Sequence, residues 1–237
     1  MGLLLNLYLG HLLGDFVFQP GWLVAAKRDR VTGLLLHVTV IGICTAALLG
    51  SHVIGLAGVV LLAMAAHLAI EVLTIRLRAF DGISTLSVFI IDQGLHITSL
   101  IALVWASSRI SEIERIRTFG LDVGPSVLAL ACALIGVMFM GAIIVHELGN
   151  SFGPVALRRA ILPYDLPRVY GMLERGSALL LAILVHPALV LAPFVPRAVY
   201  LARLSRERRT MQLLAVTGGI LVCIGGWAAV ALVTLTA

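Results

Sequence analysis

Residues 84–106, STLSVFIIDQGLHITSLIALVWA, form an apolar run long enough to cross a bilayer, which takes roughly 20 residues of helix. Three polar residues, Asp92, Gln93 and His96, lie inside this run. An acidic residue near the centre of a membrane helix costs about 2.5–3.5 kcal/mol on insertion scales, so a partner must compensate it. Asp92 and His96 are four residues apart and therefore share one face of a helix.

The same spacing of a histidine and a carboxylate occurs in two other apolar runs, and a further histidine begins the run between them. The depth of each residue in the membrane follows from its distance along the helix, at 1.5 Å per residue, from the connection 20–32 or 76–84. By this estimate, all these residues lie about 6–18 Å below one membrane surface. The pattern predicts that four helices bring them together in one buried polar centre. The seven residues are His11, Asp15, His37, His67, Glu71, Asp92 and His96.

The composition predicts an integral membrane protein of the all-α class. The chain is 60% hydrophobic and 12% charged, with a mean hydropathy of +1.08, whereas soluble domains carry about 25% charged residues. We expect one membrane domain over 1–237, with a four-helix half that holds the site (1–107) and a supporting half (108–237). The polytopic bundle would have about seven helices, at 3–19, 33–50, 53–75, 84–106, 124–148, 172–195 and 212–235.

Proline and glycine mark the weak points of this pattern. Pro20-Gly21 ends the first run, which is short for a full span, and the Asp81-Gly82 turn precedes the fourth. Prolines at 187, 193 and 196 leave two alternatives for the sixth run, a single span or a broken hairpin.

The net charge of +5 is carried by basic residues in the connections, where such residues ordinarily mark the cytoplasmic side. The lipid bilayer therefore explains this charge, and a nucleic-acid partner is not expected. The connections on the two sides of the membrane carry equal numbers of basic residues. These residues include Arg158, Arg159 and Arg203. Early connections weigh more, so we expect the face with Lys27 to be cytoplasmic.

Three interpretations of the polar centre compete. The side chains could bond one another and hold the helices in register, or they could form a proton or ion pathway. The favoured interpretation is a metal site, because four imidazoles and three carboxylates form a ligand set suited to a divalent transition metal. Zinc is favoured, with iron or manganese as alternatives. Seven ligands exceed the needs of one tetrahedral ion, so one or two ions are expected.

The metal interpretation predicts a membrane-embedded metal-dependent hydrolase that acts on a lipid-linked or membrane-delivered, anionic substrate. Asp92 or Glu71 would accept the proton from a metal-activated water. Gln93, Lys27, Glu174 and Arg175 are candidates to contact substrate or support the ligands. For Glu174 and Arg175, an ion pair with each other is favoured over that role. The main alternative is a metal-ion or proton transporter or channel, and the others are a metal-dependent oxidoreductase and a scaffold subunit.

Several motifs together resemble a bacterial membrane-protein family that is known only as a domain of unknown function. The motifs are His11-Leu12-Leu13-Gly14-Asp15-Phe16 with Gln19 and Lys27, Leu34-Leu35-Leu36-His37, His67 with Glu71, Asp92-Gln93 with His96, and the stretch 168–175. The family typically has aspartate where this chain has Glu71. The resemblance implies a multi-pass protein of the bacterial cytoplasmic membrane and supplies no activity. A looser likeness to membrane-bound metal-dependent hydrolases is an analogy only.

Overall fold

The structure is a computed structural model that describes residues 1–80, 82–107, 117–155, 162–201 and 204–236. Every long regular element in this part of the chain is a helix, which confirms the all-α class. The α-helices are α1 Gly2–Leu12, α2 Gly21–Asp29, α3 Val31–Leu49, α4 Ala57–Arg78, α5 Thr85–Ser107, α6 Pro125–Ile135, α7 Gly141–Phe152, α8 Leu166–Leu184, α9 Val195–Leu201 and α10 Arg206–Thr236.

Five helical segments in the described chain are long and apolar enough to cross a membrane, and the chain is a membrane protein. The expected number of about seven membrane helices therefore differs slightly from the five found in the described chain. The five segments are Val31–Val53, Ala57–Arg78, Thr85–Ser107, Pro125–Phe152 and Arg206–Thr236.

Proline accounts for both runs that do not become spans. The first run ends at Val17, before Pro20, and Gly2–Val17 is too short to cross by itself. The sixth begins as α8 but stops at Leu184, and a 3₁₀ helix at Pro187–Phe194 packs back against α8. Of the two alternatives for this run, the broken hairpin is the one observed, because Pro187 cannot continue the α-helical hydrogen-bond ladder.

The chain forms two compact units, which we call the first unit (1–83 and 87–132) and the second unit (84–86 and 133–236). The sequence-based boundary after residue 107 adjoins residues 108–116, which lie outside the described part of the chain. Asp81 of the predicted turn and Arg158, Arg159 and Arg203 of the charge count also lie outside it.

Two glycines bring α1 close to α3 in the first unit. A Cβ atom at Gly10 would lie 2.9 Å from Thr45 Cα, and one at Gly14 would lie 2.8 Å from Ile41 Cα. The two glycines are four residues apart, the spacing with which membrane helices approach backbone to backbone. Because His11 and Asp15 directly follow these glycines, the close approach carries both side chains toward α3.

An apolar layer closes the end of the first unit that lies beyond the polar residues. Its members precede the polar residues in α1 and α4 and follow them in α3 and α5. They are the buried residues Leu3, Leu7, Leu49, Leu56, Val59, Val60 and Leu100. This layer gives the polar residues a dry wall on one side.

Candidate metal centre

The structure brings all seven predicted ligand residues together inside the first unit. They come from α1 and the segment after it, α3, α4 and α5, and none is more than 8% exposed. Three overlapping groups have candidate ligand atoms within 4.8 Å of one another. These groups are His11, His67 and His96; Asp15, His37, His67 and Glu71; and Asp15, Asp92 and His96.

A π-helical segment, Leu13–Val17, carries Asp15 into the centre. The Phe18 amide donates to the Leu13 carbonyl at 2.8 Å, five residues back. Such π turns are rare and occur frequently at functional sites. His11 Nε2 lies 3.9 Å from Asp15 Oδ2, so the predicted pair shares one face although the turn is wider than α-helical.

His37 stands among the acceptors of the second group. Its Nε2 lies 3.3 Å from Asp15 Oδ1, 3.3 Å from Glu71 Oε1 and 3.1 Å from His67 Nε2. The carboxylate oxygens can only accept, so a proton or a positive charge must lie between these atoms. Lys27 Nζ, 3.4 Å from His37 Nε2, supplies part of that charge, and a second proton on His37 or a bound cation would supply more.

Three imidazoles from three helices contact one another in the first group. The ring centroids of His67 and His96 are 4.2 Å apart, and those of His11 and His96 are 4.6 Å apart. His96 Nε2 is buried and has no hydrogen-bond partner in the residues that the structure describes. A cavity of about 20 Å³ adjoins all three rings, which is room for a single water or ion.

Asp92 is oriented by its neighbour. Gln93 Nε2 donates to Asp92 Oδ2 at 2.9 Å, and Gln93 Oε1 lies 3.4 Å from His11 Nε2. Asp92 Oδ1 lies 3.6 Å from His96 Nε2. Gln93 therefore connects α1 with α5 and leaves one oxygen of Asp92 directed at the histidines.

Lys27 enters the centre from α2, a short helix in the connection after α1. Its Nζ lies 2.6 Å from Glu71 Oε1 and 3.6 Å from Asp15 Oδ1. Burial acts to lower the pKa of Lys27, but the two carboxylates outweigh it and hold that pKa above its usual value. The lysine is consequently a charged partner of the carboxylates.

Three carboxylates and one ammonium leave the centre with two negative charges when all imidazoles are neutral, or one when His37 carries a second proton. Uncompensated charge is costly in a buried site. A divalent cation would offset it, and nitrogen and oxygen atoms of these types are ligands for zinc, iron or manganese. The donor set and its charge therefore fit such an ion.

Gln19 is a site residue that the ligand pattern alone did not select. With its amide oxygen turned toward the centre, that oxygen accepts from His37 Nδ1 and from Lys27 Nζ, both at 2.9 Å, while its nitrogen donates to the Asp15 carbonyl. A bond at Nδ1 fixes the tautomer of His37 and leaves Nε2 available. In the sequence, the feature that could have indicated Gln19 is its amide side chain near the end of an apolar run, four residues after Asp15.

Glu174 and Arg175 lie in the second unit, outside this group of residues. Glu174 pairs with Arg197, which contacts both its oxygens at 3.1 and 2.8 Å, so the expected pair of Glu174 with Arg175 is wrong. Arg175 instead donates to two backbone carbonyls, those of Val137 at 2.6 Å and Met138 at 2.9 Å. The reason is local, because the second π segment, Gly136–Met140, presents carbonyls to this side chain.

These features define a class: a multi-pass helical membrane protein with a buried centre of histidines and carboxylates in its first unit. The model of the family described as "Protein of unknown function (DUF3307)" matches residues 3–118 of the chain. The expectation of an uncharacterised family is confirmed, and the matched range contains all seven residues. The likeness of stretch 168–175 lies beyond this range and stays a prediction. No curated protein and no solved structure matches the chain significantly.

Proposed function

We propose that the first unit holds one or two divalent transition-metal ions and that the protein is a membrane-embedded metal-dependent hydrolase. Zinc is the favoured ion, with iron or manganese as alternatives. The observation that carries the proposal is the buried Nε2 of His96, which has no hydrogen-bond partner among the described residues and lies beside His11 and His67 at a cavity of ion size. Leaving a buried nitrogen unsatisfied costs about 1–3 kcal/mol, which metal ligation would remove.

The chain's own residues suggest a division of labour. A bound metal would activate a water and polarise the scissile group. Glu71 Oε1 lies 2.6 Å from Lys27, whereas Asp92 has one oxygen bonded to Gln93 and the other near His96. Asp92 is therefore the better proton acceptor of the two candidates, and Glu71 is the better ligand. Gln93 would position Asp92, and Lys27 would balance charge or contact an anionic substrate.

The apolar layer favours an enzyme over a transporter or channel. Transit requires access from both faces, but buried leucines and valines close the end opposite α2. The side chains of Lys27 and Asp92 are 11% exposed, more than those of the six other ligand candidates, and would mark the side from which substrate enters. A transporter remains the alternative function, and an oxidoreductase would use the same ligands with iron.

The substrate would be lipid-linked or membrane-delivered, because the centre lies within helices that cross the bilayer. A negative charge on it would suit Lys27 at the entrance. We place the protein in the bacterial cytoplasmic membrane with this entrance on the cytoplasmic side, since the early basic residues lie there.

The test uses full-length protein purified in detergent and loaded with zinc. Vesicles made from a total lipid extract are incubated with wild type, Asp92→Asn and His52→Ala, and mass spectrometry follows hydrolysis products. His52 is a half-buried histidine outside the centre and serves as the matched control. We expect metal-dependent product with wild type and His52→Ala, and none with Asp92→Asn that still holds metal. Equal product from Asp92→Asn would contradict the proposed role.

A further inference from the structure

The second unit contains a cavity of about 490 Å³ that the metal centre does not use. It lies where α7 ends and where α8 and α10 begin. Its described lining contains four arginines and a single carboxylate, that of Asp165. The arginines are Arg168, Arg175, Arg197 and Arg208.

Arg175 is a buried cation that forms an ion pair with no carboxylate of the described residues. It is 4% exposed, and its two described hydrogen bonds go to the carbonyls of Val137 and Met138. Carbonyls satisfy its donors but do not cancel its charge. A buried charge of this kind is costly unless an opposite charge joins it.

Gly171 keeps two guanidinium groups open to the same space. A Cβ atom at this position would lie 3.2 Å from Arg175 Nη1 and 3.6 Å from Arg197 Nη2. The missing side chain therefore leaves a gap over Gly171 that both arginines border. Two guanidinium groups that border one gap can bind the oxygens of one phosphate group.

The other two arginines add to the positive charge. Arg168 Nε has no hydrogen-bond partner among the described residues. Arg208 is exposed at the rim. Two carboxylates lie near the four arginines. Glu174 pairs with Arg197, and Asp165 accepts from the Arg168 backbone amide at the start of α8. The positive charges of the arginines therefore exceed the negative charges of these carboxylates.

From these observations we infer that the cavity of the second unit is a binding site for a phosphate or phosphonate group. Its volume falls within the range of about 300–1,000 Å³ that is usual for small-molecule sites. The phosphate could belong to a lipid head group or to a free phosphate, because the chemistry recognised is the same.

The proposal is independent of the metal centre, since it uses only residues of the second unit. It is tested by calorimetric titration of full-length protein in a non-ionic maltoside detergent. One probe is inorganic phosphate, and the other is a short-chain phosphonate analogue of phosphatidic acid, which cannot be hydrolysed. The variants are Gly171→Ala, which fills the gap with a residue that favours helix, and Arg208→Gln, with Arg206→Gln as the exposed, non-lining control.

We expect both variants to weaken binding by at least about tenfold, with Arg206→Gln close to wild type. If inorganic phosphate displaces the lipid analogue, the phosphate group alone supplies recognition; if only the analogue binds, the ligand is a lipid head group. The proposal is overturned if neither probe binds wild type, or if Gly171→Ala and Arg208→Gln bind as tightly as Arg206→Gln. Elemental analysis of Gly171→Ala should show unchanged metal content, so failure here is distinct from failure of the metal proposal.

Discussion

His37 Nε2 and His67 Nε2 lie 3.1 Å apart, although the two imidazoles come from different membrane-crossing helices. The Gln19 oxygen accepts from His37 Nδ1, which leaves the lone pair of a neutral His37 on Nε2. In metal-free protein, His67 or Lys27 can donate to that nitrogen. With a metal bound, both histidines can direct lone pairs at the ion. The tautomer that Gln19 selects therefore leaves His37 Nε2 free to accept a hydrogen bond without metal, or to bind the ion when a metal is present.

Gln19→Leu should weaken metal binding by about 10–100-fold, the usual effect of losing a residue that orients a metal-ligating histidine. The leucine cannot accept from His37 Nδ1, so the imidazole loses its fixed orientation. Gln19→Glu retains an acceptor at this position and should retain the affinity. Competition titrations with a zinc-binding dye measure both. Equal affinity of Gln19→Leu and wild type would show that His37 is not a ligand.

Lys27→Met should make the stability of the protein depend on metal. Removing one partner of a buried ion pair costs about 3–5 kcal/mol, because Asp15 and Glu71 lose their cation. A divalent ion would replace that charge, so added zinc should raise the melting temperature of Lys27→Met more than that of wild type. Thermal unfolding with chelator and with zinc measures this, and Arg30→Met, at an exposed position, is the control. Failure of zinc to stabilise Lys27→Met counts against the metal.

Gly14→Ala should destabilise the first unit by about 1–3 kcal/mol, as overpacking typically does. Its Cβ would lie 2.8 Å from Ile41 Cα, so the π-helical segment Leu13–Val17 and α3 must separate. Gly58→Ala is the matched control, because no atom lies within 4 Å of its added Cβ and alanine favours helix. Thermal unfolding of both proteins checks the difference. Similar melting temperatures would show that the close approach is not needed.

The polar centre could be predicted in detail because membrane burial constrains charged residues strongly. Asp15, Glu71 and Asp92 cannot face lipid at tolerable cost, so the spacing of their histidine partners indicated one shared face on each helix. Depth along the helices then placed residues such as His37 at the same level. This inference did not need exact helix ends.

Other features depend on side-chain geometry that spacing does not contain. Glu174 and Arg175 are adjacent in sequence and so point in different directions from α8, which sends Glu174 to Arg197 and Arg175 to the Val137 carbonyl. The π segments at 13–17 and 136–140 leave no periodic signal, because each adds one residue to a single turn. The sequence does not decide between a single span and a broken hairpin after α8, because Pro187 allows either a kink or a break.

Metal binding by the first unit is tested by elemental analysis, which measures the metal content of full-length protein purified without chelator. Wild type and His52→Ala should retain about one to two zinc, iron or manganese ions per chain, as the ligand set allows. His96→Ala should retain clearly less metal while still folding, because His96 Nε2 makes no hydrogen bond within the described part of the chain. Fewer than about 0.1 ions per chain in wild type, or equal metal in His96→Ala and His52→Ala, would contradict the account.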